Sequence, residues 1–278
     1  MTALATKAVT ESESYRPRTR RLWDRVWPGL LALVLVIGAW QLLYWSAWKP
    51  DYVLPSPAEV GADLVGFLGT AKFWLALGNT LTRAVIGFGL ALLIGTALGV
   101  AVSASKVLRA AIGSALTGLQ TMPSIAWFPF AILIFGLGEE AITFVVVLGA
   151  APSIANGLIS GIDEVPPPLL RTAKVLGARG ATLYRYVILP AALPTYVAGL
   201  KQGWAFAWRS LMAGELLVII ASKPSLGVQL QYFREFANAS SLIATMVVVL
   251  ALGMIFDALF SKLAESVRKT RGLSASRL

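Results

Sequence analysis

Apolar residues in this chain come in long blocks and do not alternate with polar ones. Five blocks carry no charge at all: Val26–Trp48, Ala84–Ser105, Ala110–Gly138, Ala141–Ile162 and Phe236–Phe256. A sixth, Val187–Ser222, is apolar apart from Lys201, Arg209 and Glu215. A hydrocarbon core of about 30 Å takes roughly 20 apolar residues of helix. Backbone polar groups in lipid must bond within their own segment, so blocks of this length predict helices and not an open sheet. The pattern predicts an all-α, polytopic transmembrane protein of about six spans. They occupy residues 26–266, between a polar, basic tail at 1–25, expected to be disordered, and a C-terminal tail at 267–278. The first block is too long and too late for a signal core. It ends in Tyr44, Trp45 and Trp48, which suit an interfacial belt better than a cleavage site.

Finer patterning marks the ends and breaks. Ser56, Pro57 and Glu59 form a helix start, with Ser56 as N-cap and Pro57 at the first helical position. Val60, Leu64, Phe67 and Leu68 then share a face, which predicts an external helix lying along the membrane surface. The second span, beginning near Leu81, carries Gly87, Gly89, Gly95 and Gly99, small residues that let helices approach closely in lipid. The third block is interrupted at Gln120-Thr121-Met122-Pro123-Ser124, and the fourth at Ala151-Pro152-Ser153. Broken helices at that depth are tolerated where protein or a cavity satisfies the backbone. Gln120, Met122, Pro123, Ser124 and Trp127 are therefore candidates for lining a translocation path, with a plain proline kink as the simpler alternative.

The loop 161–188 between blocks four and five holds a further short helix. Pro166-Pro167-Pro168 ends the preceding span and sets a new start. Leu169, Ala173 and Leu176 form an apolar stripe at helical spacing, Arg171, Lys174 and Arg179 take other faces, and Gly177 offers a C-terminal turn position. Such a helix could float on anionic headgroups or serve as a handle for a soluble partner.

Composition sharpens the class and removes most chemistry. The chain is 57% hydrophobic and only 14% charged, against about 25% charged in a typical soluble domain. Its net charge is +10, but the cations follow the loops. With the N-terminus inside, that side collects Arg16 to Arg25, Lys106, Arg109, the loop's Arg171, Lys174, Arg179 and Arg185, and the C-terminal Lys262 to Arg277. The other side keeps Lys49, Lys72, Lys223 and Arg234. The positive-inside rule then places both termini in the cytosol of a plasma (inner) membrane protein. A nucleic-acid partner is not expected, because the cations are dispersed and not gathered in a patch. With no cysteine and no histidine, disulfides, thiolate or imidazole metal sites and Ser–His or Cys–His catalysis are excluded. No P-loop sequence occurs, so neither a catalytic residue nor a cofactor is assigned to this chain.

The loop's spacing carries a resemblance. Arg171-Thr172-Ala173, then Gly177 after three residues, then Val187-Ile188-Leu189-Pro190 after nine more, resembles the Glu-Ala-Ala…Gly…Ile-x-Leu-Pro signature of bacterial ABC importer permeases. Arg171 and Thr172 depart from it. Leu54-Pro55-Ser56-Pro57, Leu81 to Phe88, Phe135 to Glu139 and Val187 to Pro194 are similar to the nitrate/sulfonate/taurine branch, most of all to aliphatic sulfonate permeases. The resemblance implies a type I importer architecture and a second permease copy. It also implies cytosolic ATPase subunits that hold ATP and magnesium, and an extracytoplasmic binding protein. It implies that Leu169, Leu170, Arg171, Thr172, Ala173, Lys174, Leu176, Gly177, Ala178, Leu189 and Pro190 form the ATPase-coupling loop. The contrasting reading is an ion-coupled carrier, which would show inverted repeats and intramembrane acids.

Ionisable residues inside spans face protein or water, since each costs about 2.5–3.5 kcal/mol at mid-bilayer. Arg83 and Asp257, near span ends, are expected as anchors or ion-pair partners. Arg209 has two readings. It pairs with Glu215, Glu140 or Glu139, or it joins Gln202, seven residues away on the same face, in giving the path a positive potential suited to an anion.

Overall fold

The computed structural model describes residues 18–270. Expectations for 1–17 and 271–278 lie outside the described residues, among which no strand occurs. A long helix, α1 (Arg18–Trp45), is followed by the short α2 (Pro57–Leu68) and the 34-residue α3 (Ala71–Ala104). A bent pair, α4 (Lys106–Thr121) and α5 (Phe128–Phe135), leads into α6 (Glu139–Asp163). The loop contains α7 (Pro167–Val175) and α8 (Gly180–Leu183), and the chain continues through α9 (Leu189–Leu217), α10 (Leu226–Glu235) and α11 (Ala239–Thr270). Two boundaries differ from the hydropathy reading: α1 starts inside the segment expected as tail, and α11 runs to Thr270. Polar first and last turns extend helices without adding apolar signal.

Among the described residues, four helical segments are long and apolar enough to cross a membrane: Trp27–Trp45, Ala71–Ala104, Glu139–Asp163 and Ala239–Thr270. Counting α4 with 124–135 as one span makes five. The expected sixth, α9, has the length at 29 residues, but Lys201, Arg209 and Glu215 dilute its apolarity.

Helix α6 is the centre, clasped between α3 and α9. Small residues set the distances. A Cβ on Gly199 would stand 2.6 Å from Gly157 Cα, and one on Gly95 2.6 Å from the Ala151 carbonyl oxygen. Of the five α3 glycines, Gly87, Gly95 and Gly99 face α6, while Gly78 and Gly89 meet nothing. Pro152, expected to break its span, sits inside an uninterrupted α6. Close neighbours on both sides keep that helix continuous through the missing hydrogen bond. The core on this axis includes Phe128, Ile142, Val146, Ile154, Trp204 and Leu211.

Helix α2 begins with the expected cap. Ser56 Oγ accepts from Glu59 N at 3.2 Å, and Glu59 Oε2 accepts from Ser56 N at 3.0 Å, a capping box. Its inner face is docked on protein, with Phe67 stacked on Phe233 of α10 at 5.8 Å and Asp63 accepting from Ser240 and Ser241 of α11. Helix α1 meets α2, and its Trp40 Nε1 donates to Pro55 O at 3.1 Å, while Leu33, Val34, Leu35 and Val36 are exposed along it.

Candidate functional site

Two separate regions carry the sequence-predicted residues, and a third was not foreseen as a unit. The first is the loop. Helix α7 ends in a Schellman motif: Gly177 N donates to Lys174 O at 3.0 Å and Ala178 N to Ala173 O at 2.9 Å, with Gly177 at φ +86°. A second left-handed glycine, Gly180, starts α8, and a π-helical turn over Tyr184–Ile188 joins it to α9. The π turn follows from Pro190, whose ring would collide with the carbonyl four residues back in a regular helix. Arg109 of α4 grips Asp163 at 2.7 Å, and Thr195 of α9 donates to Glu164 at 2.9 Å, so the α6 root of the loop is tied to α4 and α9.

The expected stripe divides. Ala173 is buried on the side where α7 meets α8 and the π turn, whereas Val175 and Leu176 are 86% and 81% exposed at the tip. Leu176 is the C-cap and still bonds helically, its N donating to Thr172 O at 3.0 Å, so it keeps the stripe's phase but is exposed. Leu170 is half-buried, Leu169 borders a cleft with Pro190, and Leu189 is exposed. Arg171, Thr172, Lys174, Gly177 and Arg179 are exposed, and among the described residues the three cations have no ion-pair partner. The loop therefore presents an apolar point ringed by positive charge.

The second region is the break in block three. Met122 is extended (φ −80°, ψ 128°), Ser124–Trp127 makes a 3-10 turn, and the segments on either side meet at 105°. The break and α9 enclose a cleft of about 330 Å³ lined by Gln120, Met122, Pro123, Ser124, Trp127 and Arg209, with Phe206 and Gly149 beside them. Gln202 is exposed but does not join this lining. The guanidinium of Arg209 lies 5.4 Å from the centre of the Phe206 ring, and no carboxylate lines the cleft. Beneath it, buried Ser210 Oγ has no hydrogen-bond partner.

The expected Arg209–Glu215 pair does not form. Six residues apart, the two side chains point to different sides of one helix, about 240° around its axis. Glu215 is fully buried and takes Arg83 Nη1 at 2.9 Å, Thr80 Oγ1 at 2.9 Å and Gly227 N at 3.0 Å. Arg83 also grips Glu139 through Nε and Nη2, both at 2.8 Å, and Lys223 reaches Glu139 at 3.3 Å. Four elements and the α9–α10 loop are tied at this point, α10 through Leu226 N donating to Thr80 Oγ1 at 3.0 Å. Arg83 is an ion-pair partner, as its position suggested, and Asp257 meets Lys201 at 3.1 Å. The signal for the cluster was present: Thr80 and Arg83 share a face of a span with two acids elsewhere in apolar context.

A helical membrane bundle with an exposed basic loop and a broken-helix cleft is the architecture of a transporter membrane subunit. Residues 87–269 match the family described as binding-protein-dependent transport system inner membrane component, and the chain belongs to it. A putative ABC transporter permease protein of Methanocaldococcus jannaschii is 31% identical, over 82% of this chain and 85% of its own. The taurine transport system permease protein of Escherichia coli is 28% identical, over 86% and 90%. A putative aliphatic sulfonates transport permease protein of Bacillus subtilis is 26% identical, over 94% of both. With a nitrate import permease also among the relatives, the chain falls in the nitrate/sulfonate/taurine branch of ABC importer permeases. Its fold is that of a chain in the inward-facing methionine ABC transporter MetNI, at TM-score 0.59 and 22% identity, covering 70% of this chain and 96% of that one.

Proposed function

We propose that this permease carries a small organic anion, an aliphatic sulfonate, into the cell. The carrying observation is Arg209, a cation with no acid to pair it among the described residues, in a cleft without carboxylates. A sulfonate head offers three acceptor oxygens to a guanidinium. The ammonium of taurine would find no counter-charge in this cleft, and this favours a simple sulfonate over a zwitterion.

In this reading two copies of the chain pair around the path, and an extracytoplasmic binding protein delivers the anion. The α7 tip, on the cytosolic side, docks into an ATPase subunit that supplies ATP hydrolysis. Val175 and Leu176 seat in the partner's groove, while Arg171, Lys174 and Arg179 meet acidic or neutral rims. Nucleotide-driven closure would then rock the bundle between inward- and outward-facing states.

The test is sulfonate uptake by the reconstituted complex. Arg209→Gln is expected to cut uptake at least about tenfold while the permease still copurifies with its ATPase. Loss of the assembled complex would instead make Arg209 structural, and undiminished uptake would remove it from the path.

A further inference from the structure

Arg209 lines two clefts at once. On one side lies the polar cleft described above. On the other, α9, α10 and α11 border an open groove of about 660 Å³, whose walls include Trp208, Met212, Met246, Leu250, Gly253 and Met254. The α11 wall repeats at i, i+3, i+4, i+7 and i+8 from Met246, which makes an apolar strip about 12 Å long. Three of the chain's five methionines are here, and methionine's flexible thioether adapts to ligands of varied shape.

The groove is not built for lipid tails. Arg209 and Asp257 both border it, and ionisable groups within spans face protein or a water-filled cavity, not acyl chains. Asp257 is neutralised by Lys201, whose ammonium also donates to Ser261 Oγ at 2.8 Å. The one uncompensated charge on the groove is therefore Arg209, at the border with the polar cleft.

We propose that this groove receives the apolar tail of the transported anion while Arg209 holds its head in the polar cleft. The groove then sets the permease's own preference for tail length, separately from any preference of the binding protein. This rests on the anion-import reading above. Each methylene taken from water into such a groove strengthens binding by about fourfold at most.

The test measures binding of octanesulfonate and of methanesulfonate to the intact permease–ATPase complex in nanodiscs, each by competition, without binding protein. The readout is the ratio of the two affinities, in which general effects of a substitution cancel. Wild type is expected to favour octanesulfonate by more than about tenfold. Met246→Ser/Met254→Ser, which makes the strip polar, and Leu250→Trp, which fills the groove, are each expected to lower that ratio at least about tenfold.

An unchanged ratio in both variants would overturn the proposal, with the tail resting in bulk lipid. So would an unchanged ratio accompanied by loss of a dimer in light scattering, which would assign the groove to a second copy. If methanesulfonate binds through Arg209 while the ratio stays fixed, only the tail groove falls. If neither sulfonate binds or is taken up, the anion-import reading falls and takes this one with it.

Discussion

Glu215 is shut away from water inside an apolar helix, and its carboxylate is nevertheless fully occupied. Arg83, Thr80 and the amide of Gly227 all donate to it. Gly227 is required by contact, since a Cβ there would stand 2.3 Å from Glu215 Cβ. Breaking a buried pair from one side leaves the other charge stranded, at about 3–5 kcal/mol. Glu215→Ala is therefore expected to lower the melting temperature and yield of the purified complex sharply. Glu215→Gln, which keeps acceptors for Thr80 and Gly227, is expected to cost less. Equal melting of Glu215→Ala and wild type would mean that the cluster contributes nothing to stability. The sequence showed that Arg83, Glu215 and Asp257 needed partners, because charges in spans are costly. It could not show which partners, since Arg83 and Glu215 lie 132 residues apart and only the packing of α3 against α6 and α9 brings them together. Proximity along α9 misled in the case of Arg209, where helical phase overrides sequence distance.

At the scale of elements, features with local causes were legible. The capping box of α2 and the break at Met122-Pro123 depend on a few neighbouring residues, and both stand where the sequence placed them. The unbroken passage of α6 through Pro152 depends on neighbouring helices, and no local rule reveals it. The α7 loop mixes the two. Its Gly177 turn was readable, but the exposure of Val175 and Leu176 depends on which neighbours the loop meets. At φ +86° a β-branched residue is strained, by roughly 1–2 kcal/mol on left-handed sterics, whereas asparagine tolerates the position. Gly177→Val is expected to weaken the link between ATP hydrolysis and uptake several-fold. Gly177→Asn is expected to keep most of it, as read by substrate-stimulated ATPase activity in proteoliposomes. Wild-type coupling in the valine variant would count against docking through this turn.

For the whole molecule, the long helices fix two ends. Helix α3, at 34 residues, is about 51 Å long and separates the capped α2 from the root of α4. Helix α6 likewise runs from the Arg83–Glu139–Glu215 cluster to Asp163, where the α7 loop begins. The cluster, α2 and α10 therefore share one end, and the α7 loop with Arg109 holds the other. The cations divide along the same axis: Arg109, Arg171, Lys174, Arg179 and Arg185 gather at the loop end, while Lys49, Lys72, Lys223 and Arg234 are spread over the opposite one. On the rule that positive charge is retained in the cytosol, we propose that the loop end lies inside. The absence of native cysteine permits a direct check with single substitutions at exposed positions. In spheroplasts carrying the whole complex, Asp51→Cys is expected to react with a membrane-impermeant maleimide. Thr182→Cys is expected to react only after the membrane is permeabilised. The opposite labelling pattern would invert the topology and remove the α7 tip from reach of any cytosolic ATPase.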